Sequence, residues 1–179
     1  MRLFIAIELP REVKDELFRV QKLIPSKFAK IKWVSKKNLH LTLKFIGETE
    51  VSPAEIGEKL KGIKFKSIKT NLLEFGAFPT LSSSRINILW VNLKSMGELI
   101  DLQQEVDSEL FGMFKRDQKF SPHLTLGRVK LIKKKDEFLK VLKEINVKPI
   151  EFEMNEFKLM QSKLTKDGPI YSTVESFKA

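Results

Sequence analysis

The two histidines of this 179-residue chain sit in the same tetrapeptide. His40-Leu41-Thr42-Leu43 recurs as His123-Leu124-Thr125-Leu126, at an offset of 123 − 40 = 83 residues. Imidazole exchanges a proton near neutral pH without special help. Two imidazoles in matched settings can supply one general base and one general acid to a single substrate. Each is followed two residues on by a threonine, and alternate side chains of a strand share a face. His40 with Thr42, and His123 with Thr125, are therefore expected on one face of their strands. Leu41, Leu43, Leu124 and Leu126 are expected to turn to the core.

That set of groups suits displacement at phosphorus. In-line attack needs a base on the attacking oxygen and an acid on the departing one, on opposite sides. Threonine hydroxyls can hold non-bridging oxygens, and neighbouring cations can stabilise developing charge. A serine-hydrolase triad would use one histidine rather than a duplicated pair. Two histidines without cysteine fall short of the usual zinc ligand set. We therefore expect neither a metal nor a cofactor.

The bulk properties fit a nucleic-acid substrate. The formal net charge is +10, which favours polyanionic partners. Lysine-rich surfaces also arise in heat-adapted proteins, so the charge has a reading unrelated to binding. The absence of cysteine excludes disulfides and thiolate chemistry. No apolar run approaches the length of a membrane span, and the N-terminal residues do not read as a targeting segment. The expectation is a cytoplasmic monomer without membrane association.

The histidines must be positioned by strands, and the 83-residue offset organises the chain around them. It carries Arg2, which opens one apolar strand pattern, onto Arg85, which opens another. The chain reads as two similar halves, about 1–83 and 84–179, within a single domain. Each half runs strand, helix, histidine strand, helix, strand. In the first, strands are expected at Leu3–Leu9, Ile31–Val34, Leu39–Ile46 and Asn71–Phe78, with a helix after Pro10 marked by Val13, Leu17, Val20 and Ile24. Ser52-Pro53-Ala54-Glu55 and Ser95-Met96-Gly97-Glu98 both read as capping boxes. In the second half Leu99, Leu102, Val106, Leu110 and Met113 mark a helix face, and Phe120–Lys130 the second histidine strand. Phe138, Leu139, Leu142 and Ile145 mark a further helix, and Glu151–Gln161 and Tyr171–Phe177 read as strands. Which lobe the last strand joins is left open.

Together these features resemble the two-histidine (2H) phosphoesterases, and in particular the RNA 2′,3′-cyclic phosphodiesterases, also called the 2′-5′ RNA ligase family. The likeness runs from Arg2-Leu3-Phe4-Ile5-Ala6-Ile7 through Trp33-Val34 and the first motif to Phe45-Ile46-Gly47-Glu48. It continues through the second motif to Gly127-Arg128. The resemblance implies a bilobal α+β fold, with two pseudo-twofold-related lobes. Each lobe would have an antiparallel sheet and outer helices, with a cleft between the lobes. It implies metal-independent hydrolysis of a terminal 2′,3′-cyclic phosphate on RNA, tRNA fragments included, to a 2′-phosphate. It assigns His40 to the departing 3′ oxygen and His123 to water, a division that a near-symmetric site leaves open. Thr42, Thr125 and Arg128 would hold the phosphate, and Phe45 would stack on the base. The reverse 2′-5′ ligation, a smaller cyclic nucleotide substrate and a non-catalytic RNA-binding module remain alternatives.

One feature strains the strand reading. Phe45 and Arg128 lie five residues after their histidines, an odd offset that turns them off the histidine face of a regular strand. Gly127 is expected to permit a bulge that restores Arg128. Parity points Lys44 into the cleft instead. Lys44, Lys36 and Lys37 are candidate RNA contacts. Trp33 and Trp90 read as core aromatics, Lys133-Lys134-Lys135 as a helix start, and Arg2 and Arg85 as residues flanking the cleft.

Overall fold

The computed structural model describes residues 1–117 and 119–179. The first apolar run forms β1 (Arg2–Glu8), whose inner residues are all buried. Val13, Leu17 and Val20 then line the buried face of α1 (Arg11–Lys22), as their spacing predicts. β2 (Ala29–Trp33), a 3-10 turn at Lys36–Asn38, β3 (His40–Glu48), α2 (Pro53–Leu60) and β4 (Ile68–Phe78) complete the first half. The second half contains β5 (Ile88–Leu93), α3 (Met96–Glu109), β6 (Leu124–Ile132), α4 (Lys135–Glu144), β7 (Glu151–Met154), β8 (Glu156–Thr165) and β9 (Gly168–Lys178). No described helix is long and apolar enough to cross a membrane.

The strands form two antiparallel sheets, ordered β3-β1-β8-β9 and β2-β6-β5-β4-β7. In each, a central strand (β1 or β5) is flanked by a strand of its own half, β3, which begins at His40, or β6, which begins one residue after His123 and so starts later than the expected Phe120. Its other neighbour comes from the opposite half: β8 pairs with β1, and β4 with β5. The two halves of the repeat are thus not the two lobes; each lends two strands to the other's sheet, β2 and β4 from the first and β8 and β9 from the second. The physical reason is local. Antiparallel strands adjacent in sequence pair readily, and β4 and β5 form such a hairpin across the boundary between halves. The repeat records similarity between segments and carries no information about which strands pair.

Two local expectations are corrected. The segment 151–161 is two strands, with β7 in one sheet and β8 in the other. The buried residues are Phe152 and Met154, then Phe157 and Leu159, so the alternation slips by one at Asn155 where the chain changes sheets. Ser95 does not cap α3 with its side chain. Its hydroxyl donates to the Lys69 carbonyl of β4 instead. The box at Ser52 does form: Ser52 Oγ accepts from the Glu55 N–H, and the Glu55 carboxylate accepts from the Ser52 N–H, both at 3.2 Å.

One apolar core runs through both lobes, and Leu41, Leu43, Leu124 and Leu126 are all buried in it. A separate small cluster of Phe4, Ala6 and Met160, with Tyr171 against it, lies on the opposite face of the first sheet. The last strand pair, β8 and β9, supplies half of that cluster and so belongs to the lobe of His40.

Candidate active site

A β-bulge in each histidine strand resolves the odd offset. In β3, Glu8 pairs with His40, Ala6 with Thr42, and Phe4 with Phe45, while the register shifts between Ile5 and Ala6 so that Leu43 has no partner. Residues directly opposite in an antiparallel pair share a face. His40, Thr42 and Phe45 therefore project together, because the extra residue flips the parity beyond it. In β6, Trp90 pairs with Thr125 and Ile88 with Arg128, with Leu126 as the extra residue. Arg128 thereby joins the face of Thr125. The bulge sits one residue before Gly127, and Gly127 has a different role. A Cβ there would meet Ile31 and Trp33 of β2 at 2.8 Å, so the glycine permits close strand approach.

Each bulge is braced by buried polar groups from a helix of the opposite half. At β6, Gln21 of α1 donates to the carbonyls of Val34 at 2.8 Å and Leu126 at 2.9 Å. At β3 the brace is Lys44 itself, which corrects its expected place. The bulge turns Lys44 to the core side, where it is 2% exposed and ion-paired with Asp107 of α3. It also donates to the Lys115 carbonyl at 2.9 Å. Asp107 in turn accepts from Gln103 at 2.9 Å and from the Asp117 N–H at 3.0 Å. Lys44 is therefore no RNA contact. Lys36 is ion-paired with Asp15 and lies 5.7 Å from the Phe18 ring centre. Lys37 is exposed and lines a cavity beside His40.

The two imidazoles are held alike. His40 Nδ1 lies 2.6 Å from the Asn38 carbonyl oxygen and His123 Nδ1 2.7 Å from that of Ser121. A carbonyl only accepts, so each Nδ1 carries the hydrogen. Nε2 is left as the atom that gains or loses a proton. His40 Nε2 meets Thr42 Oγ1 at 2.8 Å. Tyr171 stands edge-on to His40 with ring centres 5.5 Å apart, and Phe4 lies 5.2 Å away. Phe78 stands edge-on to His123 at 5.2 Å and packs against Trp90 at 5.1 Å. Trp33 packs against the main core as expected, but Trp90 does not. It lies across Gly76, where a Cβ would come within 2.4 Å of the indole, and sits on the face that carries Thr125.

Charge links the two faces. Burial pushes the Tyr171 hydroxyl above its ordinary value, and the cations of Arg2 and Arg128 pull it back. Arg128 of the second sheet and Arg2 of the first thus both act on a ring that touches His40. Tyr171 and Lys14, which lines the same cavity, had no signal in the sequence. Tyr171 is the chain's one tyrosine, yet it lies on a strand that falls outside the repeat.

Burial also pushes the His40 imidazole below its ordinary 6.5. The Nδ1 bond to Asn38 opposes that push, Lys14 reinforces it, and Glu8 opposes it. If catalysis requires one proton shared between the two imidazoles, kcat/KM follows a bell, and the lower limb belongs to loss of the singly protonated pair. A depressed His40 holds its second proton only in more acid solution. The acid-side midpoint is therefore expected below pH 6.5. A rate profile whose acid-side midpoint lies above that value would contradict it. Among the described residues, no group of three or more His, Cys, Asp or Glu side chains is placed to share a metal ion.

Known proteins share the sequence pattern and the fold of this chain. The family model "LigT like Phosphoesterase" matches residues 7–90 and 92–171. The chain belongs to the LigT-like phosphoesterases. Among its relatives in this family, a protein of Methanocaldococcus jannaschii named RNA 2′,3′-cyclic phosphodiesterase is 36% identical, covering 99% of this chain and 100% of the relative. One of the same name from Thermotoga maritima is 37% identical over 97% of this chain and 93% of its own. A crystal structure of a Thermus thermophilus protein superposes with a TM-score of 0.74 at 26% identity, covering 99% and 97% of the two chains. LigT of E. coli in its apo form, at 24% identity, shares the fold with a TM-score of 0.73 over 99% of this chain and 96% of its own. The bilobal α+β architecture is that of the 2H phosphoesterases.

Proposed function

We propose that this protein hydrolyses the 2′,3′-cyclic phosphate at the end of an RNA strand to a 2′-phosphate, with His40 and His123 as the acid–base pair and no metal. The observation that carries the reading is the matched setting of the two imidazoles. Each has its Nδ1–H fixed by the carbonyl two residues before it and a threonine two residues after it. The names of the full-length relatives point to the same reaction.

In this mechanism His123 Nε2 takes a proton from water as its oxygen attacks phosphorus. The P–O3′ bond breaks, and His40 Nε2 delivers its proton to the departing O3′. The product carries a 2′-phosphate and a 3′-hydroxyl, and proton exchange with solvent resets the pair. Burial disfavours the His40 imidazolium, but the anionic cyclic phosphate and the Glu8 carboxylate favour it. Thr42 and Thr125 donate to non-bridging oxygens, and Arg128 stabilises the charge that develops on them. Phe45, 68% exposed on the histidine face, offers its ring to the terminal base.

A short RNA ending in a 2′,3′-cyclic phosphate, incubated with the protein in EDTA, tests the reading by the identity of the new terminus. A 2′-phosphate is expected. A 3′-phosphate would exchange the roles of the two histidines, and no turnover would overturn the proposal.

A further inference from the structure

Beside His40 lies a cavity that runs from Phe4, the strand partner of Phe45, past Met160, Ile170 and Tyr171 to Glu8, Lys14 and Lys37. It meets a second groove that shares Lys14 and Lys37 and continues to Arg11 and Lys36. Lys14 Nζ donates to the Lys37 carbonyl at 3.1 Å, which ties α1 to the turn before β3. Two of the charges along this path are already matched, Glu8 by Lys158 and Lys36 by Asp15. Among the described residues, Lys14 and Lys37 have no carboxylate partner in an ion pair.

We propose that this path carries the RNA strand 5′ of the reacting terminus, with its phosphates set over Lys37 and Lys14 and then Arg11. The inference rests on the function proposed above. Its geometric basis is the ribose. The base leaves the sugar beside C2′ and the 5′ carbon leaves beside C3′, at opposite ends of the edge that bears the cyclic phosphate. With the base on Phe45 and the phosphate at the histidines, the 5′ chain must depart on the far side of His40. The Lys14 and Lys37 end of the cavity lies on that side, at the turn that precedes His40. Met160, Ile170 and Tyr171 give it an apolar wall for the preceding nucleoside, and the ammonium groups supply counter-charge for the phosphates.

The test compares two substrates that share the reacting group. Cytidine 2′,3′-cyclic phosphate has no phosphate on its 5′ side, whereas a hexanucleotide ending in cytidine 2′,3′-cyclic phosphate has several. The parent protein is expected to favour the hexanucleotide in kcat/KM. Lys14→Gln with Lys37→Gln should cut that preference about tenfold. It should also make the salt dependence on the hexanucleotide shallower by about 0.7 in log–log slope for each lost contact. The ratio between substrates cancels any effect of Lys14 on His40 itself. Lys37→Gln with Arg11→Gln, which spares the bond from Lys14, should act in the same direction. An unchanged ratio and slope in folded variants would overturn the inference while leaving the proposed reaction intact. Turnover of neither substrate by the parent overturns the functional reading, and this inference with it.

Discussion

Alanine at His40 or at His123 is expected to lower kcat/KM on a 2′,3′-cyclic phosphate end by about 10²–10⁴-fold, the usual worth of a positioned acid or base. The double variant should lose little beyond the worse single one, because groups that act as a unit are grossly non-additive. Both rings are only partly buried, so thermal melting should move little. The pH profile adds a readout that misfolding cannot imitate. Removing the base abolishes the acid-side limb, and removing the acid abolishes the alkaline one. Loss of the alkaline limb in His40→Ala and of the acid-side limb in His123→Ala would match the assignment made here. The converse pattern would reverse it, and a single variant retaining a tenth of parent activity would end the paired mechanism.

The pair, its threonines and its leucines were legible because strand alternation is local and the motif occurs twice. The place of Arg128 and Phe45 was legible only through the resemblance, since a bulge changes parity without leaving a mark in residue type. Lys44 shows the cost of that gap. Its parity reading put a cation in the cleft, whereas the bulge at Leu43 sends it to the core and Asp107. The partner is 63 residues away in sequence, beyond any local pattern. The slip at Asn155 was readable in the alternation of Phe152, Met154, Phe157 and Leu159, yet a single long strand masked it. Pairing across the halves was not readable, because both halves carry equivalent apolar strands.

Lys44→Met is the substitution expected to cost most in stability, about 3–5 kcal/mol, as for other buried pairs broken by removal of one partner. The methylenes of Lys44 and the methionine side chain are close in volume, so packing is nearly preserved. What is lost is the counter-charge to Asp107, which is 8% exposed at its side chain, and to the more exposed Asp117 carboxylate at 3.5 Å. Asp107→Asn added to Lys44→Met removes the stranded charge and keeps an acceptor for the Asp117 N–H, so part of the loss should return. Urea denaturation of the single and double variants measures both terms. A Lys44→Met protein within about 1 kcal/mol of the parent would show that the pair contributes little net stability. Because Lys44 lies between the bulged Leu43 and Phe45, the same variant should raise KM for RNA more than it lowers kcat.

The exchange of strands also bears on how the enzyme can move. The chain passes from one sheet to the other between β1 and β2, β2 and β3, β3 and β4, and β7 and β8. Domain closure about a hinge requires few covalent crossings and an interface that slides or opens. Here the crossings are spread along the chain and a common apolar core fills the space between the walls. The two histidines therefore hold their mutual orientation before any ligand arrives. Catalytic dipoles already in place require no reorganisation during the reaction. A frame of this kind predicts turnover without domain closure, with the free and ligand-bound proteins sharing one angle between the two sheets.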